Sequence, residues 1–422
     1  MKNKDFTSLV IGLFCPFLTF AQQLNSLDGQ ALTIDPISET SCPYLTKDTK
    51  GNIVMCWGKQ INEKEAVLCF AIFNVKKGLF AETIEVPQSR GLQLHGENMP
   101  KIVFKPNKEI IVVWGVDNSS PQKKYAKIIC YSQSFDQGKT WSKATSLVKD
   151  ITGTSQAYFD TELLPNGEAA ILWLDNRTKT TKQGSTLYFA VTKGKNGFQN
   201  EKSICETICQ CCRTDLFIDS KGNVRATFRD IINDTIRDMV HLVSADEGKT
   251  FSSPKRISDD NWVISGCPHT GPALAENHNG LHFAWYTMGG GEGVFYCNSK
   301  DLGKTFSQRS NVSNKPSAKH PQIIALQTGG IAIVWDETVK KGGEYNVCVG
   351  LQMRTSDGEM ISTKYITSDE TVSEFPVIKA INNDMIIVAW VQKNRYEKNK
   401  STQNAKHTYS KGEQVFYKII HF

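Results

Sequence analysis

One spacing constrains this chain more than any other feature. Seven times, a residue that is usually proline is followed fourteen positions later by an aromatic: Pro43/Trp57, Pro100/Trp114, Phe159/Trp173, Thr214/Phe228, Gly271/Trp285, Pro321/Trp335 and Pro376/Trp390. Consecutive aromatics are 57, 59, 55, 57, 50 and 55 residues apart. Between each pair the sequence reads strand, turn, strand, as in Lys101-Ile-Val-Phe, Asn107-Lys-Glu, then Ile110-Ile-Val-Val-Trp114. Pro165-Asn-Gly167, Ser220-Lys-Gly222 and Gly329-Gly330 give turn signals at the equivalent place. A third apolar run follows each pair, such as Thr186-Leu-Tyr-Phe-Ala-Val191, and most modules carry a weaker fourth. Modules of about four short strands at this period predict an all-β β-propeller, because radial repetition leaves only short, protected sheet edges. A pair of β-sandwiches would not hold the spacing constant. The last module shows only three strands, and Gln30-Ala-Leu-Thr-Ile-Asp35 can supply its fourth. The expectation is seven four-stranded blades closed by this N-terminal strand, with six blades as the fallback.

Three modules share a further signature. Ser134-Phe-Asp-Gln-Gly-Lys-Thr-Trp141, Ser244-Ala-Asp-Glu-Gly-Lys-Thr-Phe251 and Ser299-Lys-Asp-Leu-Gly-Lys-Thr-Phe306 fit Ser-x-Asp-x-Gly-x-Thr-aromatic. The Asp can accept local backbone N–H groups, Gly reaches a conformation other residues resist, and the aromatic buries between strands. These are Asp boxes, and over essentially the whole mature length the chain resembles the sialidase superfamily of bacterial neuraminidase (BNR) repeats. The motif speaks for the fold, since the boxes join the third and fourth strands, away from that family's active site.

The N-terminus has a different character. Lys2 and Lys4 precede an apolar run from Leu9 to Phe20, and Ala21 stands before Gln22-Gln23. That pattern predicts a secretory signal peptide over residues 1–21 and one sialidase-like propeller over 22–422. The run is short for a membrane anchor, and no later segment is long and apolar enough to cross a bilayer. An exported, periplasmic or secreted monomer is expected. The net charge of +6 is spread along the chain without a basic cluster, so nucleic acid is not an expected partner.

Export bears on the twelve cysteines, of which Cys15 leaves with the signal. Cys56, Cys69, Cys130, Cys297 and Cys348 lie in apolar strand-like runs and read as small buried hydrophobes. Cys42, Cys205, Cys209, Cys211, Cys212 and Cys267 lie at strand entrances or in loops. Cys-x3-Cys-x-Cys-Cys leads into Arg213, and Cys267-Pro-His269 follows one module later. Two readings stay open: disulfides tying loops together, or a copper or zinc site drawn from Cys209, Cys211, Cys212, Cys267 and His269. If a strand has begun at the vicinal pair, at most one of Cys211 and Cys212 faces the channel.

Innermost-strand entrances and second-strand exits should share one face, opposite the Asp boxes. The acids, arginines, thiols and imidazoles gathered there point to a ligand site at the channel mouth. The sialidase resemblance implies a cluster of arginines around a carboxylate, an Asp acid, a Tyr nucleophile and a Glu base. On it, Arg213 and Arg229 would clamp a carboxylate, with Asp230, Tyr158, Asp175 and Arg177 in catalytic positions and Glu162 near Tyr158. Arg237, Tyr286, His320 and Glu337 would line the ligand. Ser41-Cys-Pro43 stands where the family has Arg-Ile-Pro, and Tyr158 falls in the third module where the enzymes place their nucleophile late. The functional expectation is glycan binding or glycoside hydrolysis on an anionic sugar. The alternatives are a Cys/His metal or redox propeller and a non-catalytic interaction scaffold. Gly289-Gly-Gly291 reads as an exit loop, and Lys393 to Gly412 as an insertion over the functional face.

Overall fold

The computed structural model describes residues 29–151, 155–177, 183–393 and 412–422. The expected signal segment and residues 394–411 of the insertion lie outside the described residues. Among those described, every element longer than three residues is a β-strand. No helix is long and apolar enough to cross a membrane.

The second module shows the unit. Lys101–Phe104, Ile110–Asp117, Lys127–Ser134 and Thr145–Ser146 pair in chain order, each antiparallel to the next. The run Ile110-Ile-Val-Val-Trp114 is buried throughout, since a second strand has a neighbour on each side and a module packed on each face. β-branched residues suit that place. The module aromatics Trp57, Trp114, Trp173, Phe228, Trp285, Trp335 and Trp390 all sit on second strands and are at most 2% exposed. Larger core clusters fill the gaps between consecutive modules, as where Trp114 and Ile102 meet Cys56 and Phe70 of the first.

The expected seven separate blades, or six, are not what the hydrogen bonding gives. Among the described residues, five sheets stand alone, with four or five strands each, and one sheet has eight. The eight-stranded sheet contains the ladders of the sixth and seventh modules, joined by a single parallel pair, Val347 with Val372. The cause is length. Ile331–Lys341 and Glu344–Arg354 are eleven residues each, so their hairpin overhangs far enough to meet the start of Val372–Ala380. Closure follows the sequence expectation: Leu32 pairs with Tyr417 and Thr33 with Phe416, at the outer edge of the last ladder.

The Asp boxes fold alike. In each, the Ser hydroxyl donates to the Asp carboxylate, and the Gly N–H donates back to the Ser oxygen at 2.7–2.8 Å. The Thr N–H and hydroxyl both donate to the same Asp. Gly248 has φ +82°, and a Cβ there would lie 2.2 Å from the Phe189 ring, so the box permits only glycine.

Candidate functional site

Four innermost strands enter the channel through the same irregularity. Cys42, Tyr158, His320 and Phe375 each stand one residue before the proline position, with φ of 59°, 55°, 53° and 55°. At each, pairing with the second strand shifts by one residue: between Ser41 and Tyr44, Ala157 and Asp160, Lys319 and Gln322, and Glu374 and Val377. These are β-bulges, which bend a strand and re-aim a side chain. The left-handed backbone is costly for such residues and persists where the surroundings hold it.

Here the neighbouring modules do the holding. Tyr158 N–H donates to Asn98 at 2.6 Å, and its carbonyl accepts from Thr214 at 2.8 Å. His320 N–H donates to Thr270 at 3.0 Å, and Phe375 N–H to Asp336 at 2.7 Å.

The bulges open into a cleft of about 480 Å³ lined by Ser41, His95, His269, His320, Glu374 and Phe375, among others. An adjoining hollow shares Leu94, His95 and His269 and adds Tyr158, Asp117 and Tyr125. His320 Nδ1 lies 2.7 Å from Asp336 Oδ2, and its ring lies against Phe375 with centroids 4.2 Å apart. Burial resists charge on both partners and raises the Asp336 carboxyl. At the imidazole, burial is outweighed by Asp336, so the His320 pKa lies above its usual value. Across the cleft Lys393 reaches Glu374 at 2.5 Å and Glu413 at 3.6 Å, and Ser41 donates to Glu413 at 2.8 Å.

The arginines expected to clamp a carboxylate are committed elsewhere. Arg213 is 4% exposed; it pairs with Glu97 at 2.8 Å and donates to the Pro321 carbonyl at 3.0 Å. Glu97 also accepts from Gly271 N–H at 3.2 Å, so this pair ties four modules together across the channel. Arg229 is fully buried, donates to the carbonyls of Arg237 and Tyr286 and lies over the Trp262 ring. Arg229 points inward from the end of its strand and Arg213 from the turn that precedes one, and both join modules. Arg177 pairs with Asp175 at 3.3 Å and Glu201 at 2.9 Å and lies over Tyr188, at a module's edge. Asp175 also accepts from Trp173 at 3.3 Å.

The other expected roles divide similarly. Asp230 accepts from Thr207 and Ile231 N–H, and burial raises its pKa. Tyr158 is 7% exposed; burial first, then Cys211 and Cys212, push its phenol well above the usual value, opposite to what a tyrosine nucleophile needs. Tyr286 donates to the Pro316 carbonyl at 3.0 Å. Glu337 is buried against Trp335, Ser313, Tyr365 and Lys315. Of the expected ligand-lining residues, His320 is the one that reaches the cleft.

The loop thiols come together more closely than expected. Cys209, Cys211 and Cys212 are buried, and their sulfurs lie within 4.8 Å of one another. Cys209 Sγ is 3.7 Å from each of the other two, and Arg237 Nη1 lies 3.3 Å from it. Both members of the vicinal pair turn inward because residues 209–213 form a turn rather than a strand. No disulfide is present among the described residues, so loop-tying bridges are not found. His269 is outside this group and lines the cleft.

His95, Glu97 and Phe375 were missed. His95-Gly-Glu97-Asn98-Met-Pro100 runs into a proline position as Cys267-Pro-His269-Thr-Gly271 runs into its own, so reaching five residues back would have found both. Gly96 marks the same loop: a Cβ there would lie 2.7 Å from the Phe375 ring.

The comparisons with known proteins agree with this architecture. No curated protein matches the sequence. Among solved structures, a protein of unknown function from Dyadobacter fermentans has a TM-score of 0.51 at 12% identity, covering 93% of this chain and 98% of that one. An ulvan lyase of a polysaccharide lyase family has 0.53 at 10% identity, covering 92% and 95%. A mutant of NanB sialidase from Streptococcus pneumoniae has 0.50 at 11% identity, covering 90% and 85%. At such identities the likeness is one of fold. Residues 81–333, more than half of the chain, match the BNR repeat-like domain, and the chain belongs to that family, among the sialidase-like β-propellers.

Proposed function

We propose that this protein binds an anionic glycan at the channel mouth, with the His320–Asp336 pair as its proton-transfer group. The observation that carries this reading is the 2.7 Å contact of His320 Nδ1 with Asp336, on a left-handed bulge facing the cleft. With Nδ1 held by the carboxylate, Nε2 is the nitrogen left to meet a ligand, the arrangement that fits an imidazole for acid–base work. Charged His320 and Lys319 would meet the anion in place of arginines. The carboxylates around the cleft are engaged, Glu374 with Lys393 and Glu413 with Ser41. The reading therefore favours a histidine over a carboxylate pair as the group acting at a glycosidic linkage. An exported, periplasmic or secreted location fits such a ligand, and so does a single propeller over residues 22–422.

The test is calorimetric titration of the folded protein with sialyllactose and with ulvan oligosaccharides built on -[GlcA(1-4)Rha3S]-, the unit bound by the ulvan lyase. Free sialic acid or an unsaturated uronate would report turnover. His320→Gln is expected to weaken binding at least tenfold, about 1.4 kcal/mol. Because the His320 pKa is raised, its charge is full at low pH and is lost as pH rises through that value, so affinity should fall with rising pH. Affinity that is flat in pH and unchanged in His320→Gln would sink the reading.

A further inference from the structure

We infer that Cys209, Cys211 and Cys212, with Cys267, form a thiolate site for a zinc ion at the wall of the fourth module. The site lies beside the glycan cleft and does not depend on that reading. Three observations converge on it. The first is distance. Zinc–thiolate bonds of about 2.3 Å in a tetrahedron place neighbouring sulfurs about 3.8 Å apart. Cys209 Sγ lies 3.7 Å from both Cys211 and Cys212. A disulfide needs about 2.05 Å, so these thiols are poised around a common point rather than bonded.

The second is enclosure. The three cysteines are at most 4% exposed and cluster with Ile231, so water is kept from the sulfurs. Arg237, on the loop that closes the site, places Nη1 3.3 Å from Cys209 Sγ, where its charge offsets that of the thiolates. The Cys209 N–H is fixed by the Arg229 carbonyl at 2.8 Å, which anchors the turn to the neighbouring strand. The third is a fourth ligand on the open side. Cys267 is exposed and neighbours Cys211, with its sulfur standing outside the group of three. It can complete a tetrahedron from solvent, which gives the ion a way in. On binding, each thiol that ligates releases its proton to solvent and no electron moves.

The experiment uses the full chain, purified under reductant without chelator. Zinc is counted by mass spectrometry, and Co2+ replaces it in a spectroscopic titration. About one equivalent of metal and a sulfur-to-cobalt charge-transfer band are expected. Cys267→Ser, at an exposed position, should fold normally and weaken zinc at least tenfold, while Cys209→Ser and Cys212→Ser should abolish the band. Cys69→Ala, a buried thiol elsewhere, should keep it. Two results on the unmutated chain would overturn the inference: a folded, fully reduced protein that takes up neither Zn2+ nor Co2+, or peptide mapping of native protein that finds a disulfide among these four cysteines. A site that takes Cu+ but excludes Co2+ and Zn2+ would overturn the assignment to zinc.

Discussion

The two ends of the central channel are built from the same innermost strands, yet they behave differently. At the far end, toward the Asp boxes, the strands pair regularly, with no register shift from Tyr44 to Lys47, Asp160 to Leu163 or Val377 to Ala380. A cavity of about 430 Å³ there is lined by alternate charged residues, among them Lys101, Glu162, Asp215 and Lys379. Lys101 pairs with Asp160 at 2.8 Å, and Asp160 accepts from Leu216 N–H in the next module. At the mouth, four of the same strands are broken by bulges, which bring an imidazole, a phenyl ring and a phenol to the cleft and its adjoining hollow, while Cys42 stays in the core. Regular pairing spreads charge evenly around a wall. A bulge gathers unlike groups at one place, which is what chemistry needs. The Arg213–Glu97 pair lies between the two ends, bridging modules across the channel.

The largest way to break this comparison is to remove that bridge. Arg213→Ala leaves the buried Glu97 without its cation and should cost about 3–5 kcal/mol in denaturant unfolding. Glu97→Ala should do the same, and the double variant should recover part of the loss. If Arg213→Ala left stability intact but abolished ligand binding, Arg213 would be a ligand clamp and the division between the ends would fail.

A smaller effect is expected from crowding the mouth alone. Gly96→Val would drive its side chain into the Phe375 ring, against which His320 packs. Overpacking of this kind costs about 1–3 kcal/mol and should weaken glycan binding, leaving the far end as it was. Unchanged affinity would place the site away from the bulges.

The smallest effect sharpens the far end. Burial raises the Glu162 carboxyl to about 7, against the pull of Lys379 and Lys101. Its folded pKa lies above its unfolded one, so folding favours the protonated form. The native state therefore loses stability as pH rises from about 4.5 to about 7, with no further loss above. Glu162→Gln should stabilise the protein by about 1 kcal/mol at pH 8, less than the full shift because the side chain still meets channel water, and by nothing at pH 4. Equal stabilisation at both values would mean that the carboxyl is not held neutral by its burial.

The amino-acid sequence by itself determined the modules, the order of strands in each and the Asp-box turns, because these rest on local alternation and turn chemistry; it pointed to closure only through the strand missing from the last module, and the pairing of Leu32 with Tyr417 spans nearly the whole chain. It also named His320 and the Cys209–Cys212 run as chemically unusual. It misplaced Arg213 and Arg229, whose positive charge reads alike whether it faces a ligand or a neighbouring module. Their partners, Glu97 and the carbonyls of Pro321 and Tyr286, are 57 to 116 residues away. Nor could alternation foresee the bulges, since one extra residue reverses the facing of all that follows, and the left-handed backbone is held by groups in the preceding module such as Asn98, Thr270 and Asp336. The fused sheet came from hairpin length, and the gathered thiols from a turn that ends strand alternation at Cys209. Those outcomes belong to the tertiary structure because each depends on contacts between segments that the chain brings together only when the ring closes.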